Sequence, residues 1–187
     1  MPTSAGAEIV SREIDVADRL ILGVTGHRLH LLPGYRGDGS SQRLRTRLLE
    51  IAMDRLEAWQ PERVNSGMAT GWDMAVAAAA MFLNIPFRAY VPFEGQDRHW
   101  SEADRAMYRS LLDEAEDIRV ISSTERRAAY YERDVAMVDD SSRLLALLAP
   151  GMPNSGTALT VEYAEGWLVP VTNVWEDFIN ENGPDPL

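Results

Sequence analysis

The sequence predicts an α/β fold in which a mostly parallel sheet is covered by helices on both faces. Three observations carry that prediction. Short apolar runs alternate with helix-periodic segments along nearly the whole chain, as strand–helix–strand units require. The length, 187 residues, suits one domain with short appendages. Small-residue loops follow predicted strands, and open parallel sheets bind ligands at the carboxyl ends of their strands.

Residues 1–18 read as a loose lead-in, 19–176 as a single domain and 177–187 as a C-terminal tail. Arg19–Val24 (RLILGV) is an apolar run expected to be a buried strand. Ser41–Trp59 is expected to be a helix, because Leu44, Leu48, Ile51, Ala52, Leu56 and Trp59 recur at helical spacing. Glu62–Ser66 is expected as a short strand. Trp72–Leu83 (WDMAVAAAAMFL) is apolar nearly all round, the pattern of a helix packed between layers. Pro86–Val91 is expected as a strand and Ser101–Ala115 as an amphipathic helix capped by Ser101. Asp117–Ser122 (strand), Arg126–Asp140 (helix), Arg143–Leu148 (strand), Thr157–Trp167 (helix) and Val169–Val174 (strand) complete the alternation.

Composition narrows the chemistry. All 18 basic residues are Arg, and there is no Lys. That excludes a Walker-type phosphate-loop lysine and Schiff-base chemistry. Cys is absent too, which removes disulfides, thiol nucleophiles and cysteine metal sites. The three His have no spacing that reads as a metal site, so neither metal nor cofactor is expected. The net charge of −11 argues against duplex DNA or an anionic membrane as partner. The charge lies wholly in residues 94–187, while residues 1–93 sum to zero. The N-terminus lacks the basic-then-apolar layout of a signal peptide, and no run is long enough to span a membrane, so the expected location is cytoplasmic.

Five segments have the residue types of a ligand site. In Gly23–Arg28, Gly26 lets backbone approach an anion, His27 can hydrogen-bond a sugar or base, and Arg28 supplies a charged fork. In Ser66–Asp73, Gly67 and Gly71 allow a tight turn into a helix whose first N–H groups can bind an anion, while Asp73 can cap the helix or bind a ribose hydroxyl. Pro92–Trp100 is a strand-end loop that contains Glu94. Arg133 and Met137 share one helical face. Ser155-Gly156-Thr157 again leads from a strand into a helix, with hydroxyls as further donors. Glu162 follows in the second turn.

The set GHR, SGMATGWDMAVAAAA, IPFRAYVPFEGQDRHW, YERDVAMVDDSSRLLALLAP and SGTALTVEYA resembles the YpsA-like branch of the SLOG superfamily. That superfamily also includes the Lonely Guy phosphoribohydrolases and the DprA proteins. The resemblance runs from about Leu20 to Val174 and implies a Rossmann-like three-layer sandwich that binds a nucleotide or nucleotide derivative. It implies that Gly26, His27, Arg28, Gly67, Gly71, Asp73, Arg133, Ser155, Gly156 and Thr157 line the site. In the Lonely Guy enzymes an Arg on the fourth helix and a Glu after the Gly-Thr turn carry cleavage of an N-glycosidic bond. Arg133 matches the first. The second motif, PGGxGTxxE, has its Glu three residues after Thr, where this chain has Thr160, and Glu162 lies about 200° around the helix from Thr160.

Two functions follow as expectations. The favoured one is a binding module for a small nucleotide-derived ligand. The alternative is a nucleoside 5′-monophosphate phosphoribohydrolase, with Arg133 and Glu162 catalytic and Asp73 and Glu94 as further carboxylates. The apolar helices, the Ala-rich one and the one ending at Trp167, point to a homodimer or larger homo-oligomer.

Overall fold

The computed structural model describes residues 19–37 and 40–180. Within them the elements run β1 (Ile21–Gly26), α1 (Ser40–Trp59), β2 (Arg63–Ser66), α2 (Trp72–Phe82), β3 (Phe87–Phe93), α3 (Glu102–Glu114), β4 (Asp117–Ser122), α4 (Ala128–Asp139), β5 (Arg143–Leu147), α5 (Gly156–Gly166), β6 (Val171–Asn173) and α6 (Trp175–Asn180). A single 3-10 turn, Leu29–Leu31, follows β1. All six strands pair in parallel, in the order β4-β3-β2-β1-β5-β6. The fold is a three-layer α/β sandwich.

That order places the ligand end. From β1 the chain steps outward through β2 and β3 to β4, then returns to the other side of β1 for β5 and β6. The connections after β1 and β5, two neighbouring strands, therefore leave toward opposite faces. The larger core cluster joins Leu22, Val24 and Val64 of the sheet to Leu48, Ala52 and Leu56 of α1, the alanines of α2 and Phe178 of α6. On the other face a smaller cluster joins Tyr90 and Leu144 to Met137 and Val138 of α4 and Ala164 of α5. Divergence of α1 and α5 opens a crevice at the carboxyl ends of β1 and β5, the switch point of an open α/β sheet.

Helix α2 shows why the alanines matter. Trp72 through Ala80 are all buried, so this helix lies against α1 on one side and the sheet on the other, and its apolar surface is used inside the fold. Small side chains let three layers approach closely. Ala77→Leu should therefore cost about 1–3 kcal/mol by overpacking, seen as a lower urea midpoint with an unchanged slope.

Two details depart from the sequence expectations. Strand β1 ends at Gly26 because Thr25 and Gly26 pair with Ala146 and Leu147 of β5. A short helix, α6, stands at the end of the expected domain and the start of the expected tail. The Asn173 side chain accepts the Trp175 N–H at 3.1 Å. Trp175 and Phe178 face the core, and Arg47 of α1 donates to the Asp177 carbonyl at 2.7 Å. Residues 177–180 thus belong to the folded unit. The lead-in, 1–18, and the rest of the tail, 181–187, lie outside the described residues. Among the described residues, no helix is long and apolar enough to cross a membrane.

Candidate functional site

A cleft of about 160 Å³ opens at the switch point. Thr25, Gly26, His27 and Arg28 line it from β1 and its loop, Ala69 and Asp73 from the turn into α2, Tyr130, Arg133 and Asp134 from α4, and Ser155, Gly156 and Thr157 from the start of α5. An apolar hollow of about 450 Å³, lined by Pro150, Met152, Pro153 and Trp175, shares the first turn of α5 with it through Ala158.

The α5 start is the open end of the cleft. Ser155 caps the helix in extended conformation, its hydroxyl accepting the Ala158 N–H at 3.1 Å. Nothing lies within 4 Å of the position a Cβ would take on Gly156. Protein packing therefore leaves room for a ligand to approach that backbone, where the helix dipole and unpaired N–H groups favour an anion. Arg28 stands half-buried at the same cleft, its guanidinium 5.7 Å from the centre of the Tyr130 ring. Tyr130 is itself held edge-on by Phe93, 5.4 Å between centroids.

The α2 start is built differently. The Trp72 N–H turns to the His27 carbonyl at 3.5 Å, and Met74 N–H bonds Ala69. Glycine is needed there for packing. A Cβ on Gly26 would sit 2.5 Å from Trp72, and one on Gly67 would meet Arg133 at 2.6 Å and Asp73 at 2.8 Å. Gly71 has φ +99°, and a Cβ would lie 2.6 Å from Leu29 N and 2.7 Å from the His27 carbonyl. Ser66 braces this turn from behind: its hydroxyl accepts the Met68 N–H at 3.1 Å and donates to the Asp73 carbonyl at 2.9 Å. Ser66, Gly67 and Gly71 thus shape the cleft without lining it.

Three charged side chains form its floor. Arg133 is 6% exposed, Asp73 4% and Asp134 9%. Arg133 donates to the Gly67 carbonyl, and its Nε lies 2.7 Å from Asp134 Oδ1 as an ion pair, without the alignment of a hydrogen bond. Asp73 Oδ2 accepts a long 3.5 Å bond from Ala69 N–H, and Asp73 Oδ1 is buried with no hydrogen-bond partner. Burial raises the Asp73 pKa to about 7, against the pull of Arg133. Burial likewise raises Asp134, partly offset by Arg133 and by the Thr160 hydroxyl. Two carboxyl groups share one buried guanidinium.

His27 has a bracing role. Its Nε2 accepts the Ala149 N–H at 2.9 Å, tying the β1 loop to the β5 loop, and its ring meets Trp175 edge-on at 6.2 Å. Burial lowers its pKa, so it stays neutral as this bond requires.

The remaining predicted residues lie elsewhere. Glu94 is exposed in the β3–α3 loop, and Glu162 is exposed on α5, neither lining the cleft. Thr160, buried to 1%, holds the inward position on α5, its hydroxyl donating to the Gly156 carbonyl at 2.9 Å. The carboxyl groups that do reach the cleft are Asp73 and Asp134. Sequence reading singled out Asp73 but missed Asp134 and Tyr130. Asp134 follows Arg133 directly and looks like an ordinary helical salt-bridge partner. Among the described residues, no group of three or more His, Asp or Glu is placed to hold a metal ion.

Residues 22–166 match the family model described as the YspA SLOG family, YpsA. No curated protein matches the chain. The fold is similar to three solved structures. DNA processing protein A (DprA) from Streptococcus pneumoniae is 15% identical with TM-score 0.53, covering 84% of this chain and 50% of that one. DNA processing protein A from Helicobacter pylori, solved for its single-stranded DNA binding mode, is 13% identical with TM-score 0.58, covering 83% and 65%. TM1055, a structural genomics target, is 13% identical with TM-score 0.52, covering 81% and 72%. This chain thus spans half to two-thirds of the length of the two DprA proteins.

Proposed function

The chain belongs to the YpsA SLOG family, and from that premise we propose that it binds a small nucleotide or nucleotide derivative, phosphate first, in the cleft between β1 and β5. The observation that carries this reading is the pairing of the open α5 start with Arg28. Gly156, the first residue of α5, lines the cleft with nothing within 4 Å of its Cβ position, and among the described residues no carboxylate forms an ion pair with Arg28. A chain without Lys holds phosphate by such means. The unpartnered oxygen of Asp73 is an acceptor for a ribose hydroxyl. The cleft has room for a sugar phosphate, and the apolar hollow beyond α5 suits a base.

Calorimetric titration with ribose 5-phosphate and the four nucleoside monophosphates tests the reading. Binding is expected, and Arg28→Ala should weaken it about 10- to 100-fold, the worth of a charged hydrogen bond. Gly156→Ala should keep the fold, since nothing crowds the new methyl, yet weaken the same ligand. Absence of binding to every one of these compounds would refute the proposal.

One observation favours the enzymic alternative. Asp73 stands in the cleft with a pKa of about 7, suited to protonate a leaving base. On that reading the protein releases free base from a nucleoside monophosphate, Asp73→Asn abolishes release and Glu162→Gln does not. Tight binding with no base released leaves the binding module. Self-association, expected from the apolar helices, would use the exposed Leu159, Trp167 and Leu168, because Trp72 through Ala80 of α2 are already buried; sedimentation equilibrium tests it.

A further inference from the structure

The cleft floor holds more negative than positive charge, which is unusual beneath an anion site. Asp73 and Asp134 face a single guanidinium, Arg133, and that guanidinium is already divided between the Gly67 carbonyl and Asp134. Asp73 is left with one long bond from Ala69 N–H and one oxygen without a partner. The charged groups facing it are Arg133 and Asp134 from α4 and Arg28 from the loop after β1. Arg28 is the group a phosphate would engage. Once it does, its field no longer compensates Asp73, and the ligand's own charge adds to the repulsion. In a buried site such repulsion is not screened as it would be in water.

We propose that the cleft takes up a proton together with its phosphate ligand, and that the Asp73 carboxyl is the group that receives it. This inference rests on the phosphate-binding reading above. Protonation removes the charge nearest the ligand and turns the partnerless oxygen into a hydroxyl donor that can bond the ligand. Asp134 differs from Asp73 in having Arg133 Nε 2.7 Å from its Oδ1, a contact that opposes its protonation. Anion affinity is then set by pH in the physiological range: high where Asp73 carries its proton and weakening as pH rises. Burial raises the Asp73 carboxyl to about 7 before any ligand binds, and a bound anion moves it higher, so the protein gains protons on binding at any pH between those two values.

The test uses ribose 5-phosphate and AMP, whose second phosphate ionisation lies near pH 6, so the free ligands are almost wholly dianionic at pH 7.5. Heats of binding at pH 7.5 in two buffers of different ionisation enthalpy count the protons taken up, using the unaltered protein alone. More than about half a proton per ligand is expected, together with an affinity that falls toward tenfold per pH unit above pH 7. Asp73→Asn should bind with no proton uptake and a flat profile from pH 7 to 9, while Asp134→Asn should keep the uptake. Binding without proton uptake in the unaltered protein overturns the proposal and leaves the phosphate-binding reading standing. So does uptake that disappears in Asp134→Asn but not in Asp73→Asn. Failure of both ligands to bind at any pH overturns the phosphate-binding reading and the proposal with it.

Discussion

Arg133→Met should destabilise the protein by about 3–5 kcal/mol at pH 8, the cost of leaving buried charge without its partner. The side chain is 6% exposed and is the only cation that touches both the Gly67 carbonyl and Asp134 among the described residues. Methionine fills much of the volume, so the loss reports charge and not a cavity. The sign of the pH dependence follows from the two acids. Asp73 and Asp134 are already raised by burial, and without Arg133 both rise further. The folded variant then binds more protons than its unfolded chain, and its stability falls as pH climbs. The gap between variant and parent should therefore be widest at pH 8 and narrow toward pH 5. Urea unfolding at both pH values measures it, and Arg133→Met with Asp134→Asn should recover part of the loss. An equal gap at both pH values would mean that Arg133 acts through packing alone.

Gly71→Ala should cost about 3 kcal/mol or more, and here no pH change should relieve it. The residue has φ +99° and ψ −121°, a region that side-chain-bearing residues essentially avoid. The added methyl would also press on Leu29 N at 2.6 Å and the His27 carbonyl at 2.7 Å, both backbone atoms with no rotamer to move. Relief requires the β1 loop to shift. That shift would disturb the Ala149–His27 bond at 2.9 Å that joins the two loops of the cleft. The expected result is a lower thermal midpoint accompanied by loss of ligand binding. Gly156→Ala makes the contrast: the same methyl, added at the first residue of α5, meets nothing within 4 Å and should leave the midpoint nearly unchanged. If both variants unfold alike, the packing argument for Gly71 is wrong.

These two glycines show how far sequence reading reaches. Both stand before a helix and after a strand, and the pattern suggests one job, backbone approach to an anion. Only the packed structure separates them. Gly71 is occupied by the protein's own loop, while Gly156 faces open space. The same holds for His27. Its position after β1 marks it as a ligand contact, but burial and the Ala149 N–H make it a strut between loops. On α5 the spacing argument was sound. Thr160 faces inward and Glu162 outward, because an 11-residue helix anchored at its start admits only one phase. Short α6 escaped notice because six residues carry too little periodicity to read, and its helix is held by contacts from α1 and β6.

Local pattern alone specifies the alternation of strands and helices, and with it the parallel sheet. Local periodicity encodes those properties, and the covalent order of elements propagates them. Which side chains meet at the carboxyl ends of β1 and β5 depends on tertiary packing. Asp73 and Asp134 are 61 residues apart, and each alone resembles a helix-start acid or a surface ion-pair partner. Strand order brings Asp73 near the Arg133–Asp134 pair of α4, out of water. Burial then turns two ordinary acids into groups that compete for one cation, because desolvation depends on what the fold packs around a residue and not on the residues beside it in the chain.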